Sequence, residues 1–382
     1  MKYFLIAGEA SGDMHAATLM SEIKKLDSNA DFSCFGGDLM QAQGGVLYQH
    51  YNQMAFMGIL PVLFNLRTIK KSIEACKNHL KSLNPDVVIL IDYPGFNLRI
   101  AKFAKSIGIP TSYYISPKIW AWKTQRIKLV KQNVDRMYTI LPFELDFYQQ
   151  HNYPVTYVGN PVWDIVQDEL KTPTNFDDFT QQNQLSNQPI IALLAGSRKH
   201  EIKALLPEME KLAKYYSNYQ FVIAGAPGID PGYYSKILKS DHKVVLNQTY
   251  KLLRNSKAAV VTSGTATLET ALLNVPQIVI YKMGLGWFLS FFRKQILKTA
   301  YFSLVNLVAE KEVVKELFQQ EVNVPNMKSE LDQILLNEQY RLKMLNGYAE
   351  IRQKISTEGA AKTTAHEIFE SIKSAKHHVE FT

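Results

Sequence analysis

Cysteine is nearly absent from the chain: 382 residues hold two, Cys34 and Cys76. They are too few for a disulfide scaffold and lack the spacing of a metal-binding pair, which predicts reduced thiols in ordinary core positions and a cytoplasmic setting. No D-x-D triplet occurs, and no cluster of His, Cys, Asp or Glu has metal-ligand spacing, so no metal and no cofactor is expected. No uninterrupted apolar run reaches the roughly 18 residues needed to cross a bilayer. No leader is expected ahead of the strand that begins at Lys2. The strand–turn–helix "FLIAGEASGDMHAA" (4–17) spells neither G-x-G-x-x-G nor G-x-x-x-x-G-K-[ST], and Glu9 and Asp13 put carboxylates where a bare phosphate wants none.

What is present is a mild excess of positive charge, +8 from 43 basic and 35 acidic residues. It fits a phosphate-bearing small molecule or an anionic membrane surface; the lysines form no long run, which argues against nucleic acid. The length suits two domains. Short apolar runs alternate with amphipathic stretches: "YFLIAG", "DFSCFGG", "DVVILID", "TSYYIS", "RMYTIL" and "VTYVG" in the first half, then "PIIALLAG", "QFVIAGAP", "KVVLNQ", "AAVVTSG" and "PQIVIYK". Such runs read as parallel strands covered on both faces, in a doubly wound α/β arrangement. Between the series lies polar "QDELKTPTNFDDFTQQNQLSNQ" (167–188), read as an interdomain connection. The expectation is two Rossmann-like domains, 1–166 and 167–345, facing a central cleft. A helical tail, 346–382, is left to pack on the first domain or on a partner subunit.

In such folds ligands bind beyond the carboxyl ends of the strands. Asp92 ends "VVILID", placed either as a general base toward a hydroxyl or as a helix cap. Gly196, Ser197 and Arg198 in "LLAGSRKHEI" offer turn N–H groups and a guanidinium to an anion, or else a solvated Arg paired with Glu201. Ser263, Gly264 and Thr265 repeat the design, and Glu269 follows on the same helix, either accepting ribose hydroxyls or exposed on a capped helix. In "YYISPKIWAWKTQR", Trp120 and Trp122 with Lys118, Lys123 and Arg126 make a phosphate-contact loop or an aromatic plug. His15, one turn into the first helix, is a ligand hydrogen-bonder or a structural imidazole. Two apolar stretches sit beside basic residues: Met57, Ile59, Leu60, Leu63 and Phe64 before Arg67, and Trp287, Phe288, Phe291 and Phe292 before Arg293. That composition suits an interfacial membrane contact, a subunit interface or a core helix.

Read together, "AGEASGD", "MGI", "PDVVILIDYPGFN", "YYISPKIWAWK", "LPFE", "GSRKHEI", "SGTATLE" and "SLVNLVA" resemble, in order, the signatures of the lipid-A-disaccharide synthases, inverting glycosyltransferases of the GT-B type. The resemblance runs from Ile6 to about Ala309. It implies a UDP-2,3-diacylglucosamine donor, a 2,3-diacylglucosamine 1-phosphate acceptor and a β-1′,6-linked disaccharide 1-phosphate product of lipid A biosynthesis, with UDP released. It implies Asp92 as the base, with Glu9 as the other candidate, and Arg198, Ser197, Gly196, Ser263–Thr265 and Glu269 as donor ligands. Asn306 falls in a phosphate-contacting motif. Ser11, Asp13 and His15 fall on the acceptor side, where carboxylates suit sugar hydroxyls better than phosphate. It also implies a peripheral enzyme on the cytoplasmic face of the inner membrane, with a homodimer left open. Asn160 stands where the family often has His, Tyr93 and Gly95 where it has small and acidic residues, and Ala195 where Pro is frequent. The rival readings are a nucleotide-sugar epimerase of similar architecture and a non-catalytic lipid-binding scaffold; the full motif series favours neither.

Overall fold

The computed structural model describes residues 1–54, 66–122, 124–282, 300–357 and 359–380. The chain forms two compact units, Met1–Pro161 with Thr357–Thr382, and Val162–Ser356. The divisions fall at 161/162 and 356/357, against the expected 166/167 and 345/346.

The first unit is built on a seven-stranded parallel sheet of β1 (Lys2–Ala7), β2 (Asp31–Gly36), β3 (Val46–His50), β4 (Val87–Ile91), β5 (Thr111–Tyr114), β6 (Arg136–Thr139) and β7 (Thr156–Tyr157), in the order β3-β2-β1-β4-β5-β6-β7. The central strand β4 is buried at every residue, because side chains alternate between two covered faces. Phe4, Ile6, Val88 and Leu90 point to one face and pack with Ile73, Cys76 and Leu80 of helix Leu66–Leu83, Ile100 of helix Pro94–Ser106, and Ile127 and Val130 of helix Ile127–Asn133. Tyr3, Leu5, Val87 and Ile89 point to the other. There they meet Leu19, Met20 and Ile23 of helix Ala10–Leu26 and Ala365, Ile368 and Ile372 of helix Ala360–Glu380. The last helix thus supplies part of this unit's core. Cys34 and Cys76 are free and buried, and burial raises both thiol pKa values, that of Cys34 to about 12.

The second unit repeats the plan with β8 (Ile190–Leu194), β9 (Gln220–Gly225), β10 (Val244–Leu246), β11 (Ser256–Thr262), β12 (Gln277–Tyr281) and β13 (Glu316–Phe318), ordered β10-β9-β8-β11-β12-β13, all parallel. In each sheet the winding direction reverses once, between β1 and β4 and between β8 and β11. That reversal opens the crevice where an open α/β sheet takes its ligand.

Three features depart from the sequence expectation. β3 and β13 were not anticipated; both are edge strands, one half-exposed along its length and the other three residues long. The polar stretch 167–188 is no simple connection. Helices Pro161–Lys171 and Phe176–Gln182 occupy much of it, and Arg254 ties it to the second unit by donating to the carbonyls of Glu169 (2.9 Å) and Thr172 (2.7 Å).

Since Ile368 is fully buried in the first unit's core, Ile368→Ala should lower stability by about 2–5 kcal/mol. Urea unfolding checks this, and an unchanged midpoint would mean that the last helix packs only loosely.

Candidate active site

β1 and β4 lie side by side with Ala7 paired to Ile91, so the residues that follow them emerge together. After β4 the backbone turns sharply: Asp92 has φ +42° and Tyr93 φ +46°. The left-handed region costs a non-glycine residue about 1–3 kcal/mol, and here two occupy it in succession. Side chains hold the turn. The Asp92 carbonyl accepts from the Asn97 Nδ2 (2.8 Å) and the Tyr113 hydroxyl (2.5 Å), and Asn97 also reaches the Ile91 carbonyl at 3.1 Å. The Tyr93 hydroxyl donates to the Met54 carbonyl at 2.7 Å. Its ring lies against Gly8 so closely that a β-carbon there would sit 2.2 Å from the ring.

The Asp92 carboxyl is thereby delivered at the sheet end on an immobilised backbone. Burial raises its pKa above the ordinary carboxylate value, opposed by Lys118 and by the Tyr93 N–H. Glu9 precedes the Ala10–Leu26 helix and makes no side-chain cap there. Its charge acts on Tyr93, whose pKa rises to about 12 through burial first and Glu9 second. Ser11 is exposed on the first turn. His15 lies one turn on, its pKa lowered to about 4 by burial; its imidazole is neutral at pH 7. The structure therefore gathers Asp92, Glu9 and Tyr93 at one strand-order reversal, with Ser11 and His15 on the adjoining helix.

Asp13 has a different job from the one expected. It is buried, and its carboxylate accepts the backbone N–H groups of Gly37 (2.9 Å), Leu39 (3.1 Å) and Met40 (3.1 Å). It caps the helix Asp38–Ala42 and has little left for a sugar. The aromatic loop resolves as a plug. Trp120 packs edge-on against Phe143 at 4.8 Å, and its Nε1 donates to buried Glu144 at 3.1 Å. Glu144 also accepts from Ser116 and from the N–H groups of Ile140 and Leu141. This carboxylate, from "LPFE", locks together the loops after β5 and β6. Asn160 is buried and donates to the Ile140 carbonyl at 3.0 Å. Lys123 and the Trp122 side chain lie outside the described residues.

In the second unit, Leu194 of β8 pairs with Val261 of β11, bringing the turns Gly196–Arg198 and Ser263–Thr265 to neighbouring strand ends. The first turn is already filled from within: Glu201 accepts the N–H groups of Ser197 (3.0 Å) and Arg198 (3.2 Å). Gly196, at φ +115°, leaves no room for a β-carbon beside that carboxylate. The expected cradle of turn N–H groups is thus occupied. The Arg198 guanidinium remains, exposed and 3.4 Å from Glu201, in an ion pair of the kind worth little at a surface. The second turn differs. Helix Thr265–Leu272 starts at Gly264 with no side-chain cap, and Ser263 donates to the Phe302 carbonyl at 3.1 Å. Residues Gly264 and Thr265 at the helix start are exposed, and among the described residues no carboxylate accepts the helix's first N–H groups. Glu269, one turn on, is hydrogen-bonded by Tyr250; burial raises its pKa and that bond opposes the rise.

Asn306 is also reassigned. It is fully buried and saturated, donating to the Val314 carbonyl (2.9 Å) and Glu316 (3.0 Å) and accepting the N–H groups of Val313 (2.8 Å) and Val314 (3.0 Å). It holds the backbone beside β13 and cannot also hold a phosphate. Sequence reasoning missed Tyr250 as the partner of Glu269, and Tyr281, which ends β12 and senses the charges of Glu201 and Arg198. Tyr281 carried a signal as a strand-end residue; Tyr250 carried none. The expected acyl or membrane contacts Met57, Ile59, Leu60, Leu63 and Phe64, and Trp287, Phe288, Phe291 and Phe292, lie outside the described residues. Among the described residues no group of three His, Cys, Asp or Glu could hold a metal ion.

Comparison with known proteins gives the arrangement a family. Residues 3–370 match the model of the lipid-A-disaccharide synthetase family. The chain is 36% identical over 379 residues to the lipid-A-disaccharide synthase of Myxococcus xanthus, covering 97% of each. It is 35% identical over 376 residues to that of Coxiella burnetii, covering 97% of this chain and 98% of the relative. Among solved structures it resembles a UDP-GlcNAc 2-epimerase from Neisseria meningitidis bound to UDP-GlcNAc (TM-score 0.68, 16% identity, 97% and 100% covered). It also resembles the glycotransferase of kitacinnamycin (TM-score 0.62, 10% identity, 97% and 98% covered). At such identities these structures share the fold alone, which is of the GT-B kind with two parallel-sheet halves.

His15 is neutral when folded and titrates near 6.5 when unfolded. Its contribution to stability is whole above pH 6.5 and is lost as pH falls toward 4, where the unfolded chain binds a proton that the folded chain refuses. His15→Gln should flatten the decline of melting temperature across that interval; an unaltered decline would contradict the assignment.

Proposed function

The chain belongs to the lipid-A-disaccharide synthetase family, and from that premise we propose that Asp92 is the base of its glycosyl transfer and that Arg198 and the helix end at Ser263–Thr265 receive the leaving diphosphate. It is a glycosyltransferase of lipid A biosynthesis, acting on acylated glucosamine. The donor is UDP-2,3-diacylglucosamine and the acceptor 2,3-diacylglucosamine 1-phosphate. The acceptor 6-hydroxyl gives its proton to Asp92 while its oxygen bonds to the donor's anomeric carbon from the face opposite UDP. The bond from that carbon to the diphosphate breaks, UDP leaves with the electron pair, and the configuration inverts to β.

The observation that carries this reading is the placement of both candidate groups at strand-order reversals. A carboxyl on a pinned backbone stands at one; at the other, Arg198 and a helix start with no cap among the described residues follow neighbouring strands. A carboxylate with a raised pKa is a better proton acceptor than an ordinary one. A helix N-terminus and Arg supply the positive charge that a departing diphosphate needs, so the reaction calls for no metal cofactor. Glu269, held by Tyr250, suits ribose hydroxyls. Glu9, Ser11 and neutral His15 suit the hydroxyls of the acceptor sugar. No helix among the described residues is long and apolar enough to cross a membrane. The apolar runs Met57–Phe64 and Trp287–Phe292, each next to basic residues in the sequence, support peripheral contact with acyl chains at the cytoplasmic face of the inner membrane.

Asp92→Asn should reduce kcat about 10²–10⁴-fold. Because the carboxylate must be ionised to accept a proton, the parent's kcat should rise with pH through an inflection above 3.8, the ordinary Asp value; the variant should lack that limb. UDP release from the two acylated glucosamines, followed across pH, checks both. A variant with near-parental turnover would transfer the role to Glu9. Arg198→Ala should cost about 10²–10³-fold in kcat, with Arg198→Lys recovering only part because a point charge replaces a planar fork. Full activity of the alanine variant in the same assay would remove Arg198 from the donor site.

A further inference from the structure

We propose that the face of the first unit formed by helices Leu66–Leu83, Pro94–Ser106 and Ile127–Asn133 docks on anionic phospholipid head groups. This rests on the reading above that the substrates are met at a bilayer, and goes beyond it by naming the surface and the lipid chemistry.

Charge is distributed unevenly over this protein. The three helices carry ten Lys and Arg against one acidic residue, Glu74. That is a formal +9, more than the +8 of the entire chain. They belong together in space because their apolar sides fill one core on one face of the sheet. The two helices on the opposite face, Ala10–Leu26 and Ala360–Glu380, carry as many acidic as basic residues. The first unit thus has one strongly basic face and one neutral face.

The charges face outward. Ile73, Cys76 and Leu80 turn one side of helix Leu66–Leu83 inward, while Lys70, Lys71 and Lys81 are exposed on that helix, Arg99 and Lys102 on the next, and Lys131 on the third. Internal neutralisation is slight: Glu74 pairs with Lys77 at 2.8 Å, and Asp135 with Lys105. Lys77 and Lys81 reach over the Phe103 ring, 5.5 and 5.6 Å from its centroid, which lays their stems on an apolar base with the ammonium groups outward. Leu66 and Leu129 are 54% and 41% exposed on the same helices. A broad cluster of cations with scattered apolar side chains suits a charged bilayer surface. Single-stranded nucleic acid would call for exposed aromatic stacking platforms, and here the aromatic ring is covered by lysines. Along the sequence, the helix that begins at Leu66 follows directly on the apolar run ending at Phe64.

Each basic residue held near an anionic membrane is worth roughly fivefold in partitioning, within a screening distance of about 8–10 Å. The test is co-sedimentation of the full-length protein with vesicles of phosphatidylcholine, with and without phosphatidylglycerol, at low and high salt. Binding should require phosphatidylglycerol and weaken with salt. The combined variant Lys70→Glu, Lys71→Glu, Lys102→Glu, Lys131→Glu should lose at least about 100-fold in affinity. Its melting temperature and its turnover of detergent-dispersed substrates should stay parental. The matched variant of the neutral face, Lys24→Glu, Lys25→Glu, Lys362→Glu, Lys373→Glu, should bind as the parent does. Equal loss in both variants, equal binding to both lipid mixtures, or tight binding to duplex DNA without vesicle binding would overturn the proposal. Failure of the parent to turn over detergent-dispersed substrates would instead count against the function assigned above, whatever the vesicles show.

Discussion

Two successive left-handed residues are an unusual way to end a buried strand, and the role proposed for Asp92 depends on keeping them there. Asp92 and Tyr93 would relax to ordinary backbone if the Asp92 carbonyl were released. Asn97 and Tyr113 hold that carbonyl from the next helix and the next strand, while Tyr93 anchors itself to Met54 and lies on Gly8. The Asp92 carboxyl is the product of this clamp: its backbone is fixed, and its proton affinity is raised by the protein around it. Reaction with a sugar hydroxyl needs both properties, since geometry decides whether the proton can be taken and proton affinity decides how readily.

The carboxylates of this protein show how the same chemical group is given opposite tasks by its neighbours. Asp13 accepts three backbone N–H groups, Glu144 four donors, and Glu201 the N–H groups of the turn in which it sits. Asp92 and Glu269 have fewer competing donors and raised proton affinity. In the second unit the turn before helix Lys199–Ala213 is filled by Glu201, whereas no carboxylate among the described residues accepts the first N–H groups of helix Thr265–Leu272. That asymmetry favours the second turn over the first as the diphosphate site in the proposed reaction, with Arg198 on the neighbouring strand-end turn.

Much of this was legible in the sequence, for definite reasons. "VVILI" and "IIALL" read as strands because burial on both faces demands unbroken apolar runs. Asp92, Arg198 and Ser263–Thr265 stood out because they follow such runs directly. The edge strands "VLYQH" and "ELF" did not stand out, being half-exposed or too short to show a pattern. Asp13 and Asn306 misled because motif position identifies a residue but not its partners. Theirs are backbone groups at Gly37–Met40 and Val313–Val314 and the Glu316 carboxylate, which only the fold brings near. Tyr250 was invisible for the same reason, lying on a different helix from the Glu269 it binds.

The proposed reaction divides the labour, with Asp92 as base on the first unit and the helix start at Ser263–Thr265 as leaving-group site on the second. Amide hydrogen exchange with and without UDP tests it most directly, because the first-turn amides of helix Thr265–Leu272 have no side-chain cap to slow them. Saturating UDP should markedly slow exchange at Thr265 and Ala266 and leave the Gly8–Asp13 and Asp92–Asn97 segments unchanged. Protection confined to those two segments of the first unit would contradict it.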